Sequence, residues 1–189
     1  MDLIAINEDG ELYAPHGITT TPQFGPGVKK DPVSDNSAGV LPLTARQRAM
    51  CRATSHAPGH EGFFALDDSM LTFWQPDDHD PLPSLTVNLQ APYRAEAVRI
   101  LFREVGLDYE NGNLPGPMRY TVEGCIDNDK DEWVMLLDCR NNAEDKNCDY
   151  NTFEPVTCES VRLTIHGAPK GITPGIIDFT VFGLRDETR

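Results

Sequence analysis

Residues 65–74 read ALDDSMLTFW, a short stretch that packs carboxylates, hydroxyls and an aromatic anchor just ahead of a series of β-like runs. Oxygen donors this closely spaced suit a hard cation, which takes its ligands from side chains and from the carbonyls of a tight loop. A second acidic signal stands at the far end, in GIIDFTVFG, residues 175–183, where Asp178 opens a final alternating run. Together the two segments predict a cation-pinned loop that meets the closing strand of a β-sandwich.

Between them the punctuation is that of an all-β chain. SLTVNL (84–89), AVRILF (97–102), RYTVEGC (119–125), EWVMLLD (132–138), SVRLTIH (160–166) and IIDFTVFG (176–183) are short, rich in β-branched residues and separated by turn formers. In SVRLTIH, Val161, Leu163 and Ile165 alternate with Arg162, Thr164 and His166, the pattern of a strand with one buried side. No long helical period and no βαβ alternation occurs, so the fold expected is an antiparallel jelly-roll sandwich. Its connections are long and polar: QPDDHDPLP after Trp74, EVGLDYENGNLPGP at 104–117 and CRNNAEDKNCDYN at 139–151. Loops of that kind on a rigid scaffold are where binding residues usually sit.

The chain has 189 residues, enough for one ordinary domain with an appendage. Its formal charge of −14, from 16 basic and 30 acidic residues, argues against nucleic acid or anionic lipid as partner. No apolar run approaches the length that spans a bilayer, so no membrane insertion is expected. The start, MDLIAINEDG, lacks the basic flank and apolar stretch of a secretory signal; an export signal, if the parent protein has one, lies outside this chain. Five cysteines, at 51, 125, 139, 148 and 158, form no CxxC pair and read mostly as small buried hydrophobes, although Cys139 and Cys148 flank one polar loop and could pair.

The organisation is a 1–44 arm followed by a 45–185 sandwich. In the arm, LIAINEDGELYA places Asp9-Gly10 between two short apolar runs, a hairpin signal, and residues 15–42 are Pro-rich and read as a wrapped arm or linker. Trp74 and Trp133, at strand boundaries, are expected to plug the core. The run Asp77, Asp78, His79, Asp80 reads as a polar loop, because neighbouring residues cannot all face one ion. His56 and His60 are separated by Pro58-Gly59, which argues against a shared helix face. No GxSxG, P-loop or dinucleotide fingerprint is present, and no catalytic pair is assigned.

Thr44 to Leu184 resembles the discoidin, or coagulation-factor C-type, domains and the family 32 carbohydrate-binding modules, of the galactose-binding-like jelly-roll fold. The landmarks, in order, are ALDDSMLTFW, SLTVNLQAPYRAEAVRILF, YTVEGCIDNDKDEW, SVRLTIHG and IIDFTVFG. Asp68 stands where many relatives carry Gly, and Asp178 where Glu is usual. The front, NEDGELYAPHG and then KKDPVSDNSAGVLPLTARQRAMCRATSHAPGHEGFFALDD, resembles the tail of family 43 glycoside hydrolases, which would make the chain a fragment without the catalytic propeller.

The resemblance implies a structural calcium held by Asp67, Ser69, Thr72 and Asp178. It also implies a saccharide bound in the loops, with aromatic faces stacked on the sugar and amides, acids or histidines fixing its hydroxyls. Tyr93, Tyr109, Tyr150 and Phe153 are the candidate platforms. Tyr109, Asn111 and Asn113 with Glu110 make one candidate set; Asn142, Asp149 and Tyr150 with Asn141 make another. The function that follows is a non-catalytic carbohydrate-binding or accessory domain of a glycoside hydrolase. Its partners would be an oligo- or polysaccharide such as xylan, arabinan or a galactoside, and the parent's catalytic domain; a polysaccharide-degrading parent would be secreted or periplasmic. An independent glycoside hydrolase, or a cell-surface adhesion module of the discoidin type, is the alternative.

Overall fold

The structure of the protein, a computed structural model, describes residues 5–6, 12–13, 41–45 and 50–185 and divides into two compact units, Met1–Leu41 and Pro42–Arg189. In the first unit β1 (Ala5–Ile6) and β2 (Leu12–Tyr13) pair antiparallel, Ala5 opposite Tyr13 and Ile6 opposite Leu12. These strands flank the expected Asp9-Gly10 turn; the turn itself and nearly all of the Pro-rich stretch 15–42 lie outside the described residues.

After β3 (Leu41–Pro42), which straddles the boundary, the second unit is built from β4 (Cys51–Ala53), β5 (Ser84–Val105), β6 (Arg119–Asp127), β7 (Glu132–Asp138), β8 (Cys148–Gly167) and β9 (Thr173–Arg185), with one short 3-10 helix at Gly62–Leu66. The compact units divide at 41/42 rather than 44/45. Leu43 and Thr44 are buried, and both bond to β9: Leu43 N donates to Val181 O (2.7 Å), while the Thr44 hydroxyl donates to Phe179 O (2.7 Å) and accepts from Val181 N (3.0 Å).

Two long strands make the sandwich. Leu85–Val87 of β5 pair with β4 on one side and Ser84–Asn88 with Thr164–Ser160 of β8 on the other, whereas Tyr93–Leu101 pair with Cys158–Cys148 of β8 and with β9. The break falls at Gln90, whose φ is +68 and whose N–H is held by Asn88 Oδ1 at 2.7 Å, just before Pro92. A side-chain-stabilised turn and a proline are what bend a strand from one layer into the next. One layer is therefore β4, the start of β5, the end of β8, β6 and β7; the other is β9, the end of β5 and the start of β8.

Alternation fills the space between the layers. Leu85, Val87 and Leu89 of β5, Val161, Leu163 and Ile165 of β8, and Val98, Ile100, Phe179 and Val181 from the second layer are all buried, with Trp74 and Tyr120 the largest plugs. Every run read as a strand is one, though 84–89 and 97–102 are two parts of β5. Two elements were hidden. β4 is only three residues long, and the first half of β8, Cys148–Val156, is an edge whose polar, part-exposed sequence was read as loop. An edge strand has no second neighbour to demand an apolar face, and it tolerates Pro155.

Trp133 corrects the expectation of a second core plug. It pairs with Cys125 on the outward side of β7, where the Arg162 guanidinium lies 4.0 Å from the ring centroid and the indole N–H donates to Asp131 (2.6 Å). Asp178 likewise lies within β9 rather than at its start, and its side chain is buried. All five cysteines are free, Cys139 and Cys148 included, and of the five only Cys125 and Cys158 are fully buried.

Candidate functional site

The strand pairing sends the long connections to one end of the sandwich, because each leaves one layer and enters the other there. Cross-links between the loops reflect this. Thr173 Oγ1 donates to Asp78 Oδ1 (3.3 Å), Asn142 Nδ2 to Met118 O (3.0 Å) and Phe102 N to Asn147 O (2.8 Å). Gly171, at φ +76, packs so close to Asn113 that a Cβ there would sit 2.3 Å from Oδ1.

Of the aromatics expected in loops, only Tyr109 is in one, and its side chain is 68% exposed. Its loop is pinned from within. Asp108 and Asn113 form a two-residue bridge, Asn111 Nδ2 donates to Asp108 Oδ2 (2.6 Å), and Asn113 Nδ2 donates to Gly106 O (3.2 Å). Bonds from Asn111 hold the Asp108 carboxyl below its ordinary range. Tyr93, Tyr150 and Phe153 belong to strands instead.

The second expected set is dispersed. Asn142 uses its amide to bridge Met118 O and Glu144 O, both at 3.0 Å, as an internal fastener of its loop. Asp149 points inward, is buried, and accepts from the Tyr120 hydroxyl (2.7 Å) and Asn151 Nδ2 (2.9 Å). Burial first, and the Asp149 acceptor second, push the Tyr120 phenol well above its ordinary value. Tyr150 faces outward on the other side of the strand, its ring 6.2 Å from Phe182.

The polar run after Trp74 contributes more than its sequence suggested. Thr54, Ser55, His56, Asp77, His79 and Asp80 line an open cavity of about 590 Å3, and Pro76–Asp78, Asp80 and Pro83 share another of about 350 Å3 with Gly171–Pro174. Asp80 Oδ2 accepts the hydroxyls of Ser55 and Thr54, both at 2.6 Å, and these bonds, that of Ser55 above all, hold its carboxyl below the ordinary range. Asp77 Oδ1 accepts His79 N (2.8 Å) and faces its Nδ1 (3.1 Å), and these contacts with His79 lower the Asp77 carboxyl. The sequence signal was QPDDHDPLP itself; what it lacked was His56, from the start of the same β4–β5 connection, which folds back so that both its ends line one cavity.

The ALDD segment forms the compact oxygen-rich turn expected of it. Asp67 Oδ1 accepts Ser69 N (3.0 Å), Asp67 Oδ2 accepts the Thr72 hydroxyl (2.8 Å), and Ser69 Oγ accepts Leu71 N (3.2 Å). Asp68 has φ +63, so it adopts the left-handed geometry that favours glycine. Asp178 is engaged differently. Its Oδ2 accepts from Arg99 Nε (3.1 Å) and Nη2 (3.0 Å), and Thr180 donates to either carboxyl oxygen at 2.9 Å. Burial raises the Asp178 carboxyl, Thr180 and Arg99 lower it, and the negative Asp68 raises it again. Among the described residues no three His, Cys, Asp or Glu side chains gather into one metal-holding group, so any cation here would draw on hydroxyl and carbonyl oxygens as well.

The architecture that results is a jelly-roll sandwich with its long loops collected at one end. The chain belongs to the F5/8 type C domain family, whose model matches residues 51–176. In fold it is similar to chitosan-binding module 1 of a chitosanase/glucanase from Paenibacillus sp. IK-5, at 19% identity and a TM-score of 0.62, covering 76% of this chain and 99% of that one. It is similar also to the family 32 carbohydrate-binding module of Clostridium perfringens NanJ in complex with galactose (22% identity, TM-score 0.56, 74% and 98% covered). A third likeness is chitosan-binding module 2 of the Paenibacillus enzyme, in complex with chitotriose (17% identity, TM-score 0.60, 74% and 98% covered). No curated protein matches the chain. The fold is thus the one that these carbohydrate-binding modules share.

Proposed function

We propose that the chain is a non-catalytic glycan-binding domain that serves a glycoside hydrolase as an accessory module, and that its sugar docks at the loop end. The observation that carries this reading is the open cavity in which His56, His79 and Asp77 converge beside a carbohydrate-binding-module fold. Imidazole nitrogens and a carboxylate are hydroxyl-binding groups, and exposed Tyr109 on its pinned loop offers the apolar face that a pyranose needs. Asn111 and Asn113 act chiefly by holding that loop, and Asn142, Asp149 and Tyr150 contribute structure rather than contact. Tethering to a catalytic domain raises local substrate concentration, so weak affinity suffices.

Calorimetric titration with galactose, lactose, chitotriose and xylotetraose tests the reading. At least one should bind, and His79→Ala or Tyr109→Ala should weaken it by roughly tenfold, the cost of about 1.4 kcal/mol. No heat with any sugar, or binding indifferent to both substitutions, would remove the loop end from consideration.

We also propose that the turn at 67–72 holds a structural calcium. Asp67, Ser69 and Thr72 would contribute through side chains or carbonyls, with Asp178 closing the site. Hard oxygen donors in one turn, and the repulsion between Asp68 and buried Asp178, favour a divalent cation there.

A further inference from the structure

The outward face of the layer formed by β4, β5, β8, β6 and β7 carries a groove of about 450 Å3, which starts beside the loop-end cavity, where Thr54 lines both, and runs along the sheet to Glu123, Met135 and Arg162. We propose that this groove is a second saccharide site, which takes a neutral oligosaccharide along the sheet face. The proposal rests on the glycan-binding reading for the class of ligand, but not for its place.

Three features of the face lead there. First, its floor is built and stiff. Arg162 donates through Nε (3.0 Å) and Nη2 (2.9 Å) to Glu123 Oε2 while its guanidinium lies over Trp133, so two mostly covered charged side chains and an indole are locked in one arrangement. A preorganised surface loses little entropy when it binds. Second, hydroxyls stand along it: Ser84, Thr121 and Thr164 line the groove, and Thr121 Oγ1 sits 3.0 Å from His166 Nε2. Third, its walls include Met135, 47% exposed, and Leu82, 50% exposed, apolar surfaces that no other described residue covers fully. Hydroxyl partners flanked by apolar walls match the two-sided chemistry of a sugar ring.

The charge pattern decides between neutral and acidic ligands. Each guanidinium in the groove already has a partner, Glu123 for Arg162 and Asp138 at 2.5–3.1 Å for Arg140, while the His166 ring faces the Thr121 hydroxyl. A uronate would have to displace one of these carboxylates and would meet Glu123 and Asp138 as like charges. A neutral chain meets no such cost.

Amide chemical-shift mapping on the full chain, titrated with chitotriose, xylotetraose and lactose, tests the assignment, with a galacturonic acid trimer as the acidic probe. The expected result is two sets of shifted amides, one in residues 55–80 and 106–113 and one at Thr121, Glu123, Arg162 and Thr164, with Thr54 common to both. Met135→Ala should weaken the second set by roughly fivefold to tenfold while His79→Ala leaves it unchanged. Shifts confined to the loop end would overturn the groove and leave the proposed function standing; silence with every sugar would overturn both. A response of the groove to the acidic trimer alone would overturn the neutral assignment.

Discussion

Trp74 and Ile176 exchange backbone hydrogen bonds, N–H to carbonyl at 2.9 Å in one direction and 2.7 Å in the other. Through this bridge the acidic segment and the closing strand are joined by main chain, whatever else their side chains hold. The indole is fully buried and donates to Ser55 O at 2.9 Å, so it also fastens the β4–β5 loop that shapes the cavity.

The two tryptophans should consequently behave differently. Trp74→Ala removes a fully buried indole and should cost about 3–5 kcal/mol of unfolding free energy. Trp133→Ala removes a part-exposed ring and one cation–π contact, and should cost closer to about 1 kcal/mol. Urea denaturation of the two variants measures this directly. Equal losses would mean that Trp133 is a core residue after all.

That difference marks where the sequence could be read and where it could not. Period-two alternation in SVRLTIH correctly placed Val161, Leu163 and Ile165 inside, because a face packed on a core leaves that imprint. Trp133 carries no such imprint: its neighbours Val134 and Leu137 are apolar too, and the shift of register between Val122 and Glu123 that turns it outward is a property of the β6–β7 pair. The acidic turn at 67–72 was legible because its bonds are local. The Arg99–Asp178 pair, separated by 79 residues, was not, since it depends on pairing across the fold, and neither was the placing of His56 and His79 on one cavity, since it depends on how the β4–β5 connection folds back.

Calcium should act on stability through the turn at 67–72. With about 1 mM calcium chloride, within the range of weak extracellular sites, the thermal midpoint is expected to rise by several degrees over the same sample in EGTA. Asp67→Asn should abolish that rise. Asp178→Asn should reduce it and should also destabilise the calcium-free protein, because Arg99 then loses its carboxylate partner. Identical midpoints with and without calcium would rule the site out and leave Asp178 as the anchor of Arg99 alone.

The thiols supply a test that needs no ligand. Cys148 is exposed and should react first with a disulfide reagent near pH 8, whereas Cys125 and Cys158 should react only as the chain unfolds. Burial holds the Cys158 thiol up at about 12, with nearby Cys125 adding to the rise, against an ordinary value near 9.0. The folded state thus keeps a proton that the unfolded state releases. The stability this confers is complete below pH 9.0 and is lost as pH climbs through the interval to about 12, at no more than roughly 1.4 kcal/mol per pH unit. Cys158→Ala should flatten that part of the stability curve relative to the unsubstituted chain, leaving the share due to Tyr120, whose phenol is also raised by burial. An alkaline profile unchanged by the substitution would show that Cys158 ionises as easily in the folded chain as in the unfolded one.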